Sequence, residues 1–264
     1  MGHVATDRSV SEVLDRNPVT SNSVMNKMLH RMLQEHTTVD LHGRERQVTG
    51  GISQEEAEFI HSLIIDRGCR TCMETGVAYG VSTVAICQSL FHQGNGCHHY
   101  GVDPCQYSDY DGAALAALRA CGLEGLFELL NGPSHTMLPQ LLARNVKLDL
   151  ALIDGWHTFD YTLLDVFYAD KMLRPGGILL IHDMDLPSKR KVWGFLKTHR
   201  RYRRIEHPAD KSKVKHLSSL CKGLATAKRS AVKSALFGLA GIERLIALEK
   251  LDDWEPGHNY FRDF

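Results

Sequence analysis

The chain has 264 residues, with 31 basic and 31 acidic side chains, so its formal net charge is zero; 43% of its residues are hydrophobic. That balance excludes a general electrostatic attraction to nucleic acid or an anionic surface, and the composition is that of a globular protein. The length suits one large domain with additions, burying about 75% of its unfolded-chain surface. No stretch reaches the roughly 18 apolar residues of a membrane span. The opening "MGHVATDRSVSEV" lacks the apolar core of a secretory signal, so a cytoplasmic protein is expected. Seven scattered cysteines argue against a disulfide framework. Cys69 and Cys72 form a CxxC in a predicted strand, where their spacing sends the side chains to opposite faces, so both are read as packing residues.

Residues 1–50 are read as a helical extension. After Ser23, Val24, Met25, Met28, Leu29, Met32 and Leu33 recur at helical spacing, and this Met-rich stripe suggests a homo-oligomeric interface. Ser53 and Glu56 form a capping box ahead of an amphipathic helix. Five apolar runs follow, "RTCMETG", "HHYGVDP", "LFELLNG", "LDLALIDG" and "GILLIHD", with helices expected to start near Val81, Asp111, Ser134, His157 and Ser188. Strands alternating with helices predict a doubly wound, mostly parallel α/β sheet. The end breaks the rhythm: "RYRRIE" and "RLIALEKL" read as two more strands, separated at 207–241 by a basic helical insertion, a cap with a solvated face or a lid over an anionic substrate.

In such sheets ligands bind beyond the carboxyl ends of the strands. The loop after the first strand reads Glu74-x-Gly76-x-x-x-Gly80-x-Ser82, which is neither the G-x-G-x-x-G dinucleotide fingerprint nor a P-loop. It offers no basic residue to a pyrophosphate, and Glu74 would repel one while tolerating a cation. Asp103 ends the second strand, where an acid can accept ribose hydroxyls. A phosphate-free, positively charged adenosine cofactor fits this pattern, and S-adenosylmethionine is such a molecule.

On "ETGVAYGVST", "YGVDP", "NGPSHTMLPQL" and "LALIDGWH…LRPGGILLIHD", the chain resembles the class I S-adenosylmethionine-dependent methyltransferases over about residues 50–185, with "RLIALEKL" resembling their seventh strand. The resemblance implies a Rossmann-like sheet of seven strands whose last strand is antiparallel, with a catalytic domain over 51–264. It also implies cofactor contacts from Glu74, Thr75, Gly76, Gly80, Ser82, Asp103, Ser134 and Asp154.

"IDGWHTFDY" and "IHDMD" place Asp154, His157, His182 and Asp183 at neighbouring strand ends. This is similar to metal-dependent small-molecule O-methyltransferases, most of all the macrocin or macrolide-sugar type. That likeness implies Asp154, His182 and Asp183 as ligands of a divalent cation, Mg²⁺ or Mn²⁺, and His157 as general base beside Asp154. His182 departs from the usual oxygen donor and leaves manganese, iron or no metal open. Adjacent strand residues also face opposite sides unless the strand has ended, so Asp185 is an alternative partner for Asp183. The expected acceptor is a small-molecule hydroxyl. The alternatives are a methyltransferase on nucleic acid or protein, suggested by "SKRKVWGFLKTHRRYRR", and an NAD-binding oxidoreductase, which would share Asp103 but needs the missing fingerprint.

Overall fold

The computed structural model describes residues 26–206 and 244–264. The insertion read at 207–241 therefore lies outside the described residues, as do Val24 and Met25. In chain order the strands are β1 (Thr37–Val39), β2 (Glu45–Gln47), β3 (Thr71–Thr75), β4 (His98–Val102), β5 (Phe127–Leu130), β6 (Leu148–Ile153), β7 (Leu173–Ile181), β8 (Tyr202–Ile205) and β9 (Ile246–Lys250). The helices are α1 (Lys27–His30), α2 (Gln54–Arg67), α3 (Val81–Gln93), α4 (Ala113–Cys121), α5 (Ser134–Ala143), α6 (Phe159–Met172) and α7 (Pro187–His199). The main sheet has seven strands in the order β5-β4-β3-β6-β7-β9-β8. Strand β9, the last in the chain, runs antiparallel between β7 and β8.

Side-chain alternation along the strands builds two cores. Cys72, Leu150, Leu152, Ile178 and Leu180 join α2, α3 and α4 on one face. Met73, Ala151, Ile153, Leu179 and Ile181 join α5, α6 and α7 on the other. Register then sets the site. Thr75 pairs with Val102 and Ile153, and Ile153 pairs with Ile181. Gly76, Asp103, Asp154 and His182, each one residue further on, therefore leave the sheet in one row.

The five helices after the apolar runs begin at Val81, Ala113, Ser134, Phe159 and Pro187, so His157 belongs to the loop before α6 rather than to the helix. The capping box of Ser53 and Glu56 is formed as read. Residues 37–47 form an antiparallel hairpin that the apolar pattern did not signal. The Met-rich stripe is packed within the chain: Leu29 and Met32 are buried in the α3-side core, with Met28 and Leu33 partly buried against it. Cys69 and Cys72 are both buried in this same core, and burial pushes the Cys69 thiol up to about 12.

Candidate active site

A cavity of about 930 Å³ opens over the carboxyl ends of β3, β4, β6 and β7. Its floor is the glycine loop. Gly76 has φ +86°, and a Cβ there would lie 2.2 Å from the Asp154 carbonyl oxygen. Gly80 has φ +89°, and its Cβ would lie 2.6 Å from the Ala114 Cβ. Both glycines are thus required by protein packing: one lets the loops after β3 and β6 touch, the other lets α3 start against α4.

Glu74 does not reach the cavity. It is fully buried on the α3 side, accepting hydrogen bonds from Ser82 Oγ (2.6 Å) and Thr83 Oγ1 and lying 3.0 Å from His99 Nε2. The period of two along β3 explains this, because Glu74 shares the face of Cys72 while Thr75 turns to the other. Its carboxylate braces the first turn of α3 from behind instead of facing a cation. The hydroxyl of Ser82 is committed to that brace, although the residue lines the cavity.

Asp103 lines the cavity while holding the loop in shape. Its Oδ2 accepts the N–H groups of Val77 (3.0 Å) and Ala78 (2.7 Å), and its Oδ1 that of Cys105 (2.7 Å). A carboxylate has about four acceptor positions, so little capacity remains for ribose hydroxyls. Thr75, Gly76, Gly80 and Ser134 all line the cavity, with Ser134 as the first residue of α5.

The charged wall lies at β6 and β7. Strand β7 ends at Ile181, and Asp183 adopts φ +55°, a left-handed conformation rare outside glycine. That turn lets His182 and Asp183 face the cavity together, which removes the objection from strand alternation; Asp185 is exposed and is not part of the lining. His182 Nδ1 is 3.1 Å from Asp154 Oδ1 and 3.4 Å from Asp183 Oδ1, and its Nε2 is 3.4 Å from Glu56 Oε2. Burial opposes protonation of this imidazole, but Asp154 and Glu56 outweigh it and raise the pKa to about 10. Burial pushes the Asp183 carboxyl up, yet the Arg244 guanidinium at 2.6 Å and His182 hold it below the usual range. His157, half exposed at the rim, has Nε2 3.5 Å from Asp183 Oδ2. Asp154, His182 and Asp183 each offer a ligand atom, all within 4.8 Å of one another.

Three cavity or near-cavity residues were not anticipated from the sequence. Arg244 reaches Asp183 from just before β9. Lys189, on α7, is fully buried with no hydrogen-bond partner for Nζ among the described residues; burial lowers its pKa, while Asp154, Asp165 and Asp183 act to raise it. Asp165 lines the cavity from the buried face of α6. The available signal for Asp165 was an acid at the helical spacing of Thr162, Val166 and Ala169.

A family model described as "Methyltransferase domain" matches residues 73–184. No curated protein sequence matches the chain. The O-methyltransferase TomG of Streptomyces achromogenes, involved in tomaymycin synthesis and solved with S-adenosylmethionine, is 18% identical, with a TM-score of 0.54 over 69% of this chain and 83% of that one. The O-methyltransferase of Bacillus cereus, solved with S-adenosylhomocysteine, is also 18% identical, with a TM-score of 0.52 over 75% of this chain and 88% of that one. At such identities these likenesses are of fold, while the family match spans the glycine loop, Asp103 and the charged wall. Residues 73–184 thus match a methyltransferase domain, and the chain shares its fold with two solved O-methyltransferases.

Proposed function

We propose that the protein is an O-methyltransferase acting on a small-molecule hydroxyl of the natural-product or sugar type, with His157 as general base and a divalent cation at Asp154, His182 and Asp183. The observation that carries this reading is that those ligand candidates and His157 share one cavity with the glycine loop and Asp103. The donor set of two carboxylates and one imidazole fits a borderline ion such as Mn²⁺ or Fe²⁺ better than Mg²⁺. A cation held there would supply Lewis acidity toward the acceptor hydroxyl. S-adenosylmethionine supplies the electrophilic methyl group.

The chain's own residues do the rest. Asp183, held by Arg244, orients the His157 ring, and a ring nitrogen of His157 takes the hydroxyl proton as the oxygen acquires the methyl group. Asp154 and Asp103 keep the two loops in place around the reacting groups. The basic run that suggested nucleic acid has Arg200 paired with Asp170, Arg201 with Asp252 and Arg203 with Glu249, which favours the small-molecule reading. A cytoplasmic setting suits the described cysteines, all of them free.

Calorimetric titration with S-adenosylhomocysteine, with NAD as control, tests the cofactor; micromolar binding of the first alone is expected. Methyl transfer to a panel of hydroxyl compounds, with EDTA and then added Mn²⁺, tests the rest. Activity indifferent to chelation removes the cation, and preference for NAD removes the reaction.

A further inference from the structure

Lys189 is the third residue of α7, and its side chain is fully buried with no hydrogen-bond partner for Nζ among the described residues. Two costs oppose a cation in that place. Burial strips the ammonium of water, and the first turn of a helix is the positive end of its dipole. No acidic residue in that turn offsets either cost. Charges of opposite sign on neighbouring elements must do so.

The residues on either side show where those charges lie. Ser188 Oγ donates to the His157 carbonyl oxygen at 2.6 Å and so grips the loop after β6. Arg190 donates to the carbonyl oxygens of Met184 (3.2 Å) and Asp185 and so grips the loop after β7. The turn that carries Lys189 is thus tied to both loops of the charged wall. The charges acting on Lys189 are those of Asp154, Asp165 and Asp183. Lys189 is not part of the cavity lining, so it stands behind the wall, away from substrate and cofactor. We propose that Lys189 is a positioning residue for the divalent-cation site, a fixed positive charge behind Asp154 and Asp183 that holds down their affinity for the ion. This rests on the cation of the proposed function. The same charge favours the deprotonated form of a hydroxyl brought to the site.

The test is titration of the folded, ligand-free protein with Mn²⁺ at neutral pH, read from the paramagnetic resonance signal of the free ion. Wild type, Lys189→Met and Lys189→Arg are compared, with melting curves as the check on folding. Lys189→Met removes the charge and should bind Mn²⁺ about tenfold or more tightly than wild type, since a unit charge repels a divalent ion strongly at an effective dielectric of about 20. Lys189→Arg keeps the charge and should stay within about threefold of wild type. Equal or weaker binding by Lys189→Met overturns the proposal. Equal tightening in both variants also overturns it, because packing rather than charge would then be the cause. Lys189→Met should fold as wild type does, since it removes a buried charge that has no hydrogen-bond partner; a variant that fails to fold makes Lys189 a structural tether and overturns the proposal as well. Absence of Mn²⁺ binding in both wild type and Lys189→Met overturns the cation site itself.

Discussion

His157 and Gly76 show two ways in which one residue matters here. His157 sits half exposed in a loop with Asp183 as its near neighbour, so replacing it with Ala disturbs little packing. Turnover should fall about 10²–10⁴-fold, the usual contribution of a positioned base, with S-adenosylhomocysteine affinity near wild type. Unchanged turnover would remove it from the mechanism. Gly76 is the opposite case. Ala there brings a Cβ against the Asp154 carbonyl oxygen at a positive φ, and the expected loss is about 3 kcal/mol by denaturant unfolding. A loss below about 0.5 kcal/mol would mean that the two loops part freely. The sequence made the positions of these residues legible but not every role. Glu74 was read by its place at a strand end, whereas its face, fixed by alternation with Cys72, decides that it braces α3. Asp165 was passed over because a polar residue on a helix reads as surface until its neighbours in space are known.

Among the elements, α2 links local helix chemistry to the site. Glu56 accepts the Ser53 N–H at 2.7 Å and also faces His182. Ser53→Ala should cost about 1 kcal/mol, as lost helix caps do. Glu56→Gln keeps a competent capping box but removes a negative charge beside His182, so the His182 pKa should fall, readable by NMR titration; an unmoved pKa would show that Asp154 alone holds the proton. The strand–helix alternation was legible because β3, β4 and β6 are each followed directly by Gly76, Asp103 or Asp154. The hairpin at 37–47 was not, since ion pairs hold it: Arg44 and Arg46 reach Asp40 and the distant Asp111. No local pattern announces a partner so far along the chain.

For the whole molecule, stability should carry the imprint of its buried charges. Asp165 goes from an ordinary 3.8 to about 6 on folding, so the native state binds more protons between those values and this group's contribution falls as pH rises through that window. Such a shift corresponds to about 3 kcal/mol. Ligand-free Asp165→Asn should therefore gain on wild type as pH rises from 4 to 7, in urea unfolding at several pH values; a pH-independent difference would mean that Asp165 is solvated. His182, raised to about 10 from 6.5, stabilises the fold below 6.5 and loses that contribution as pH climbs through 10.

The contact between Gly76 and the Asp154 carbonyl has a kinetic meaning. Two loops with no room for a methyl group between them are expected to move together, so that whatever seats on the first also sets the second. Under the proposed function the donor would rest on the glycine loop and the acceptor at Asp154 and beyond. Turnover should accordingly follow a compulsory sequence in which the donor enters first and its demethylated product leaves last. S-adenosylhomocysteine would then inhibit competitively against the donor and non-competitively against the acceptor, and a random pattern would show that the two loops respond separately.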